Sequence, residues 1–508
     1  MAQPATLVVG HCTSTTARIF CSSVTGAPAG TVARLSWAAG SSKGTLEIAL
    51  GPADPFRVGV FELKGLPSAA EVAYAVDVAP AKAALADTAT MLAGAAHRFR
   101  LLPDKRPPRV AFVSCNGVYA YTPESGKYIV WNRLRKDIAE GKVDLVLHGG
   151  DQIYADVIWM GHDVDPANRG LTPANTARVT ELTRRYRSLY VKTWSAPEVA
   201  AVLASVPNVM TWDDHDVYDG WGSHDDDGAD PQQAFFAAAK QAFHEFQVSH
   251  GPGPLHSSSS LTAWTHGGVG FLLLDTRTNR MWKHSRVLGD EQIAVAKEWV
   301  QKNAKGLKRL FVVSSIPLVH AQVAAALALL RFIPGREGVE DDLRDSWVSS
   351  NNRNECQRLA KWLFNVQLEN ADSRLQVTVL GGDVHVGALA ELRSNLPAHV
   401  ADARVPPRIF QVTSSGIGSP PPTGITLKLI RLATGGEVEL GTPDVVGRLI
   451  RVNGSHDLTL TQRNFVILNL EDNDKEGQWE PRGNLRVDFI VEHGDDCTVL
   501  PQVLNGPG

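Results

Sequence analysis

Cysteine is scarce in this chain of 508 residues: five occur, at positions 12, 21, 115, 356 and 497. The count is odd and no CxxC spacing occurs, which excludes a disulfide scaffold. A reducing compartment fits, and at least one thiol is left for another task. Long apolar runs are also missing. The longest surrounds Val323 to Leu330 and is interrupted nearby by His320, Gln322 and Arg331. A bilayer span needs about 20 apolar residues, so no transmembrane segment is expected. The start, MAQPATLVVGHCTST, shows no basic region, continuous apolar stretch or twin arginine. The expectation is a cytoplasmic protein, or a secreted or periplasmic one if a signal has been removed. No charge sign dominates: 50 Lys and Arg face 54 Asp and Glu, a net −4. Nucleic-acid binding is therefore not expected, because it calls for a strongly basic face. Gly (44) and Pro (29) are too few for a low-complexity or collagen-like chain.

What is present is ordinary globular material, 44% hydrophobic and 20% charged. The length predicts two to four domains at about 100–200 residues each. Residues 1–102 read as β structure. Thr6–Val9, Thr16–Cys21, Val32–Trp37, Thr45–Leu50, Val58–Leu63 and Glu71–Val78 are short runs separated by turn residues, the pattern of a β-sandwich. PDKRPP (103–108) reads as a linker. From Arg109 to 508 the texture is that of a layered α/β domain. Buried-type strands (Arg109–Ser114, Asp144–Leu147, Val206–Met210, Val269–Leu274, Arg309–Ser314, Leu375–Leu380) alternate with amphipathic segments. The latter are Tyr128–Glu140, Thr176–Thr193, Pro231–Gln247, Asp290–Asn303 and Asn352–Asn370. After about 421 the chain turns β-like again, extending the second sheet or closing back over it.

Chemistry gathers where strands end, the place where α/β sheets hold ligands. RVAFVS runs into Cys115-Asn116-Gly117, and DLVLHGG into Asp151-Gln152-Ile153-Tyr154. VPNVMTW runs into Asp213-Asp214-His215-Asp216, and LQVTVLGG into Asp383-Val384-His385. Each motif alone has an ordinary explanation: a buried thiol, a helix cap, a solvated acidic loop, a turn. Four such ends in one domain are not four accidents. Carboxylates brought together repel strongly, and one or two metal ions remove that repulsion.

This ordered set resembles the calcineurin-like metallophosphoesterases, and within them the alkaline phosphatase D (PhoD-like) family. SCNG, GDQIYAD, WDDHD and GGDVH carry the likeness, and VVGHCTSTTARIF is similar to that branch's N-terminal sandwich. The resemblance implies two metal ions. Cys115, Asp151, Tyr154 and His385 would hold the first. Thiolate and phenolate together favour Fe(III) there. Asp151 would bridge, and Asp214 with Asp383 would complete an oxygen-only second site for Ca, Mg or Mn, with Zn possible. Gly117 stands where many members have His, and no His stands at Ser314-Ser315-Ile316-Pro317, where a middle ligand is usual.

His215 falls at the catalytic position, partnered by Asp216 or Asp213, to stabilise phosphate charge or protonate a leaving group. Its bland alternative is to orient the Asp214 loop. Softer expectations remain. Arg277 clamps phosphate or forms a structural salt bridge. Asp216 and Tyr218 are further substrate-binding candidates. The 321–333 stretch is core, or a lid for a greasy leaving group. The implied reaction is hydrolysis of a small-molecule phosphomonoester or phosphodiester by water activated at two metals. The alternatives are a phosphodiesterase or phospholipase-D-like enzyme preferring diesters, and a non-catalytic metal-binding interaction protein. Cys115 is not a phosphatase nucleophile of the CX5R type, because Tyr121 stands where the Arg is required. Sequence leaves oligomeric state open.

Overall fold

The computed structural model describes residues 4–79, 92, 97–119, 128–159, 171–320, 344–400, 407–472 and 481–504. The apolar 321–333 segment lies outside the described residues.

The first eight strands are β1 (Thr6–Cys12), β2 (Ala17–Ser22), β3 (Val32–Ala39), β4 (Ser42–Ala49), β5 (Gly51–Ala53), β6 (Phe56–Leu63), β7 (Glu71–Ala79) and β8 (His97–Arg100). They form two four-stranded antiparallel sheets, ordered β1-β2-β6-β5 and β4-β3-β7-β8. Successive strand side chains point to opposite faces. Val9, Ile19 and Phe61 therefore meet Leu35, Val72 and Tyr74 of the other sheet in one cluster. Val8 and Phe20 point the other way and are buried too, with the Phe20 ring 5.4 Å from Phe246 and 6.4 Å from Trp194. Burial on both faces explains why β1 and β2 carry apolar side chains without alternation.

The rest is built on two larger sheets. Its strands are β9 (Val110–Val113), β10 (Leu145–Gly149), β11 (Asn208–Thr211), β12 (Thr262–His266), β13 (Val269–Leu273), β14 (Arg309–Ser314), β15 (Gln376–Gly381), β16 (Gly387–Ser394), β17 (Arg408–Thr413), β18 (Val438–Thr442), β19 (Val445–Ile450), β20 (Thr459–Leu460), β21 (Asn464–Asp472), β22 (Pro481–His493) and β23 (Asp496–Leu504). The six-stranded sheet runs β11-β10-β9-β21-β22-β23. The nine-stranded sheet runs β12-β13-β14-β15-β17-β16-β19-β18, with β20 beside β16. Thus β21–β23 widen the first of these sheets, while β18–β20 join the second. The facing sides share one apolar layer, including Phe112 and Leu147 from one sheet and Phe311, Val313 and Val412 from the other.

Helices cover the outer faces. α1 (Ile129–Ala139), α2 (Asp156–Trp159), α3 (Thr176–Trp194), α4 (Pro197–Leu203) and α5 (Asp230–Phe246) lie on the side of the six-stranded sheet. α6 (Asp290–Asn303) and α7 (Arg353–Glu369) pack on the nine-stranded sheet. Two shorter helices, α8 (Pro397–Val400) and α9 (Gly424–Ala433), follow. The 3.6-residue period is visible in α3, which buries Leu182, Tyr186, Leu189, Tyr190 and Trp194. Its amino end is capped by Asn175, whose side chain accepts from Arg178 N at 3.3 Å. The five predicted helices fall within one residue of these bounds.

The PDKRPP segment has no helix or strand, but it is tied down. Asp144 accepts from Arg106 Nη1 at 2.7 Å and from Arg109 N at 2.8 Å, and Pro103 O lies 2.6 Å from His266 Nε2. The described residues include no helix long and apolar enough to cross a membrane, and the five cysteines are free thiols.

One buried amide joins the small sheets to the large ones. Asn208 Nδ2 donates to Val9 O (3.2 Å), Leu203 O (3.2 Å) and Val206 O (2.6 Å), while its Oδ1 lies 2.9 Å from His148 Nε2. Asn208→Ala strips these buried groups of their partner at once. The expected loss is about 2–4 kcal/mol, read from urea unfolding; a loss near zero would mean that this amide does not hold the junction.

Candidate metal centre

The predicted residues converge because the two large sheets end together. Ser114, just past β9, donates to Ser414 O just past β17 at 3.0 Å, and Gly382 N donates to Ser315 O at 2.7 Å. The connections leaving the strands are tight. Seven non-glycine residues in the described structure have positive φ, and four of them are Cys115, Asp151, Asp383 and His385. Such conformations cost about 1–3 kcal/mol each and persist where the surroundings over-determine them. Gly150 (φ 115°) has no room for a side chain: a Cβ would sit 2.6 Å from Asp213 Cβ.

Carboxylate oxygens of Asp151, Asp213, Asp214 and Asp383 all lie within 4.8 Å of one another, and Asp151, Asp214 and His215 form a second such group. Two buried oxygens in this cluster, Asp151 Oδ1 and Asp213 Oδ2, have no hydrogen-bond partner. Unpaired buried carboxylate oxygens are costly, and a cation satisfies them. Beside them, Cys115 Sγ lies 3.3 Å from Asp151 Oδ2 and 2.9 Å from Ser415 Oγ. Tyr154 OH and His385 Nε2 are 2.7 Å apart. Ser419 Oγ donates to Tyr154 OH at 2.9 Å and Cys115 O at 3.0 Å. The seven predicted ligand and catalytic positions are thus one neighbourhood. Its oxygen cluster is tight, and the Cys115 thiol with Ser415 and the Tyr154 phenol with the His385 imidazole stand alongside as two hydrogen-bonded pairs. Gly117 has no room for a side chain without movement, since a Cβ there meets Ser419 Oγ at 2.5 Å.

His215 is paired with neither Asp216 nor Asp213. Its Nδ1 lies 2.9 Å from Asp156 Oδ2, and its ring stacks on Tyr154 at 4.2 Å. Asp156 is fixed in turn by Asp219 N at 2.7 Å. Asp216 is fully buried and serves the backbone: it accepts from Asp213 N (3.0 Å), Gln152 N (3.3 Å) and Gln247 Nε2 (3.1 Å). Tyr218 is also fully buried, donating to Asp227 at 2.7 Å. Arg277, likewise without exposed surface, bonds Asp213 and reaches Asp214 Oδ1 at 3.3 Å; Asp345 grips its other side at 2.7 and 2.9 Å. The structural salt bridge is the arrangement seen. Asp216, Tyr218 and Arg277 are thus all buried and engaged with protein partners.

Burial and neighbouring charge set the protonation states. Burial, then Cys115, Asp213 and Asp214, hold the Asp151 carboxyl well above the usual range. Burial and the same two aspartates do so for Asp383. Asp213 is pushed up to about 6 by burial, with Arg277 opposing. Burial also acts upward on Asp214, but Arg277 and His215 outweigh it and bring the group to about 2. Burial lifts the Cys115 thiol to about 11 and lowers the His385 imidazole to about 4. For His215 burial favours the neutral ring, yet Asp156 and Asp214 overcome it and hold the imidazolium well above its ordinary range.

Sequence reasoning missed Asp156, Asp345, Ser415 and Ser419. Asp156 stood inside the quoted GDQIYAD signature. The two serines belong to TSSGIGS (413–419), whose small polar residues directly after a strand were the available signal.

The fold and site together define a mixed α/β protein of several sheets with a carboxylate-rich centre, able to hold a metal, where its two large sheets end. A solved structure described as that of PhoD superposes with a TM-score of 0.60, covering 99% of this chain and 91% of that one; at 17% identity this is a likeness of fold. The family model described as PhoD-like phosphatase matches residues 110–422, and the chain belongs to that family. An uncharacterized protein of Saccharomyces cerevisiae is 23% identical over 383 residues, 60% of this chain and 53% of the relative. Alkaline phosphatase D of Bacillus subtilis is 30% identical over 178 residues, 34% of this chain and 28% of the relative. The chain thus spans about half the length of the first relative and 28% of the second.

A stability test follows from the raised carboxyls. A carboxyl whose folded pKa exceeds its unfolded value of about 4 stabilises the fold while protonated and loses that contribution as pH rises through the folded value. Asp213 acts up to about 6, Asp216 (raised by burial) up to about 7, and Asp151 with Asp383 from about 4 upward. Asp214, depressed to about 2, acts with the opposite sign and only below about pH 4. Buried histidines act with the opposite sign over the same range, His11, His148, His320 and His385 being lowered to about 4 and His250 to about 3, so the carboxyls are read by difference: saturating Mn²⁺ or Ca²⁺ should raise the melting temperature of metal-stripped protein more at about pH 7 than at about pH 4. Identical pH profiles with and without metal would refute the linkage.

Proposed function

We propose that this protein is a metal-dependent hydrolase of small-molecule phosphate esters, mono- or diester. The observation that carries the reading is the four-carboxylate cluster with two unpartnered buried oxygens, Asp151 Oδ1 and Asp213 Oδ2. Family membership supports the phosphate-ester class. The paired small sheets and the helix–sheet–sheet–helix order support an N-terminal sandwich (1–102) and a calcineurin-like catalytic domain (109–508) joined at 103–108.

Two ions fit the donor set. Cys115, Asp151, Tyr154 and His385 would hold one, and Asp151, Asp214 and Asp383 the other. When bound, they supply Lewis acidity that activates water and neutralises phosphate charge. Fe(III) suits the first position, because a thiolate and a phenolate on one ion favour a strongly Lewis-acidic metal. Oxygen donors suit Ca, Mg or Mn at the second.

The residues then divide the work. Arg277, clamped by Asp345, holds Asp213 and Asp214 in place and keeps Asp214 ionised. Ser415 and Ser419 fix Cys115 and Tyr154. His215 is counted with Asp151 and Asp214 by distance, but a protonated imidazole has no lone pair to give a metal. It acts as a donor, to the phosphate oxygens or the leaving oxygen, held by Asp156. Its side chain keeps 16% of its surface, and Asp383 and His385 are likewise part-exposed, so substrate approaches from that side.

Metal analysis of protein purified without chelator comes first, followed by turnover of p-nitrophenyl phosphate and bis-p-nitrophenyl phosphate. About two ions per chain are expected. His215→Ala should keep them and lose about 10²–10⁴-fold in kcat. Unchanged turnover in that variant would remove His215 from the chemistry, and no turnover in the native chain would favour a non-catalytic metal-binding protein. The ester that turns over faster decides between mono- and diesterase.

Two further outcomes are expected. Asp156→Asn removes the largest support of the imidazolium, so the alkaline limb of the kcat profile should move to lower pH; a fixed limb would exclude His215 as the titrating donor. If iron is present, Fe(III)–phenolate charge transfer should add to the visible absorption, and Tyr154→Phe should weaken and shift it. A spectrum unchanged by that substitution would remove Tyr154 from the ligand set.

A further inference from the structure

A cavity of about 410 Å³ lies at the other end of the nine-stranded sheet, lined by β16, β17, β19, β23 and the residues after β19. β17 runs from Arg408, in the cavity wall, to Thr413, beside the carboxylate cluster. Five strand residues put Arg408 about 17 Å from Thr413. The two regions share no residue.

The lining is strongly cationic. Arg393, Arg408, Arg448 and Arg451 face the cavity, with Glu391 as its one acidic wall residue. Glu391 is almost fully buried, at 5% side-chain exposure, and is shared by three guanidiniums: Arg393 at 2.6 Å, Arg448 at 3.1 Å and Arg408 at 3.4 Å. One carboxylate has too few lone pairs to occupy the donors of three guanidinium forks. Those three arginines retain 37%, 42% and 41% of their side-chain surface, so their remaining donors are open to a ligand. Arg451 is exposed and has no ion pair among the described residues.

A second feature is independent of the charge count. Arg393 and Arg408 are direct cross-strand partners in the β16–β17 register. Like charges directly opposite are destabilising in a sheet. Phe410 supports Arg408, whose guanidinium carbon lies 5.8 Å from the ring centre. A surface that merely needed charge would not set two arginines opposite each other over one shared carboxylate. An anion between them removes the repulsion.

We propose that this cavity is a second, non-catalytic anion site that takes a phosphoryl group. Guanidinium forks match tetrahedral phosphate oxygens in bidentate geometry, and the volume admits either free phosphate or a small molecule carrying it. The site does not rest on the hydrolase reading, because its residues are separate from the carboxylate cluster.

Calorimetric titration of the full chain at constant ionic strength tests it. The probes are inorganic phosphate and phenylphosphonate, whose C–P bond resists hydrolysis. The expected result is one saturable site that persists in Asp383→Asn and weakens at least about tenfold in Arg408→Gln/Arg448→Gln, as charge-assisted bonds are lost. Glu391→Gln removes the competing carboxylate and should tighten binding, a change of opposite sign that keeps the test decisive if the double variant fails to fold. Tighter phenylphosphonate means a phosphate borne on a larger molecule, and tighter inorganic phosphate means the free anion; both uphold the site. No saturable binding, binding unchanged in both arginine and Glu391 variants, or equal competition by chloride would overturn it.

Discussion

The mutual repulsion of Asp151, Asp213, Asp214 and Asp383 is the constraint around which this molecule is arranged. Four carboxylates with oxygens within 4.8 Å cannot all be ionised in a buried place without cations. The protein supplies part of that charge itself, through Arg277 and the His215 imidazolium. Arg277 binds Asp213 and Asp214 and is gripped from behind by Asp345, which also holds Arg280 at 3.1 Å. That leaves Asp151 and Asp383 with a strong appetite for a proton or a metal. The positive φ angles at Cys115, Asp151, Asp383 and His385 belong to the same problem: the chain is bent against its preference so that each strand end turns its donor inward.

The fold bears this cost because the donors stand on rigid elements. β9, β10 and β15 are buried along their whole length, and the two large sheets share an apolar layer directly below the cluster. Interiors packed at crystal-like density resist displacement, so repulsion at the strand ends cannot relax by spreading them. The small N-terminal sheets add to this support. β1 and β2 are pressed between their partner sheet and the helices, and Asn208 stitches β1 to the six-stranded sheet. Charge is treated in the opposite way at the far end of the nine-stranded sheet, where guanidiniums crowd one carboxylate.

Much of this was legible in the sequence. The five helices announced themselves through amphipathic periodicity. The strand ends announced themselves through acid, thiol, phenol and imidazole placed directly after apolar runs. Other elements were not legible. β16 carries Glu391 and Arg393, and β17 opens on Arg408; these charges break the apolar runs, and neither strand was among those predicted. With β17 unrecognised, Ser415 and Ser419 had no strand end to belong to. Arg277 illustrates a different limit. An arginine after a buried strand can meet phosphate or carboxylate equally well, and only Asp345, 68 residues further on, decides for carboxylate.

What sequence alone determined was local: which segments bury one face, where strands stop, and which chemical groups stand at those stops. These follow from side-chain period and backbone preference, which act over a few residues. What only the tertiary structure decided was partnership. His215 takes Asp156 from 59 residues away rather than its neighbour Asp216, which turns inward to satisfy backbone N–H groups. Cys115 meets Ser415 across 300 residues because β9 and β17 end at the same seam. Sheet order brings such pairs together. That order is set by how whole faces bury against one another, and no local pattern carries it.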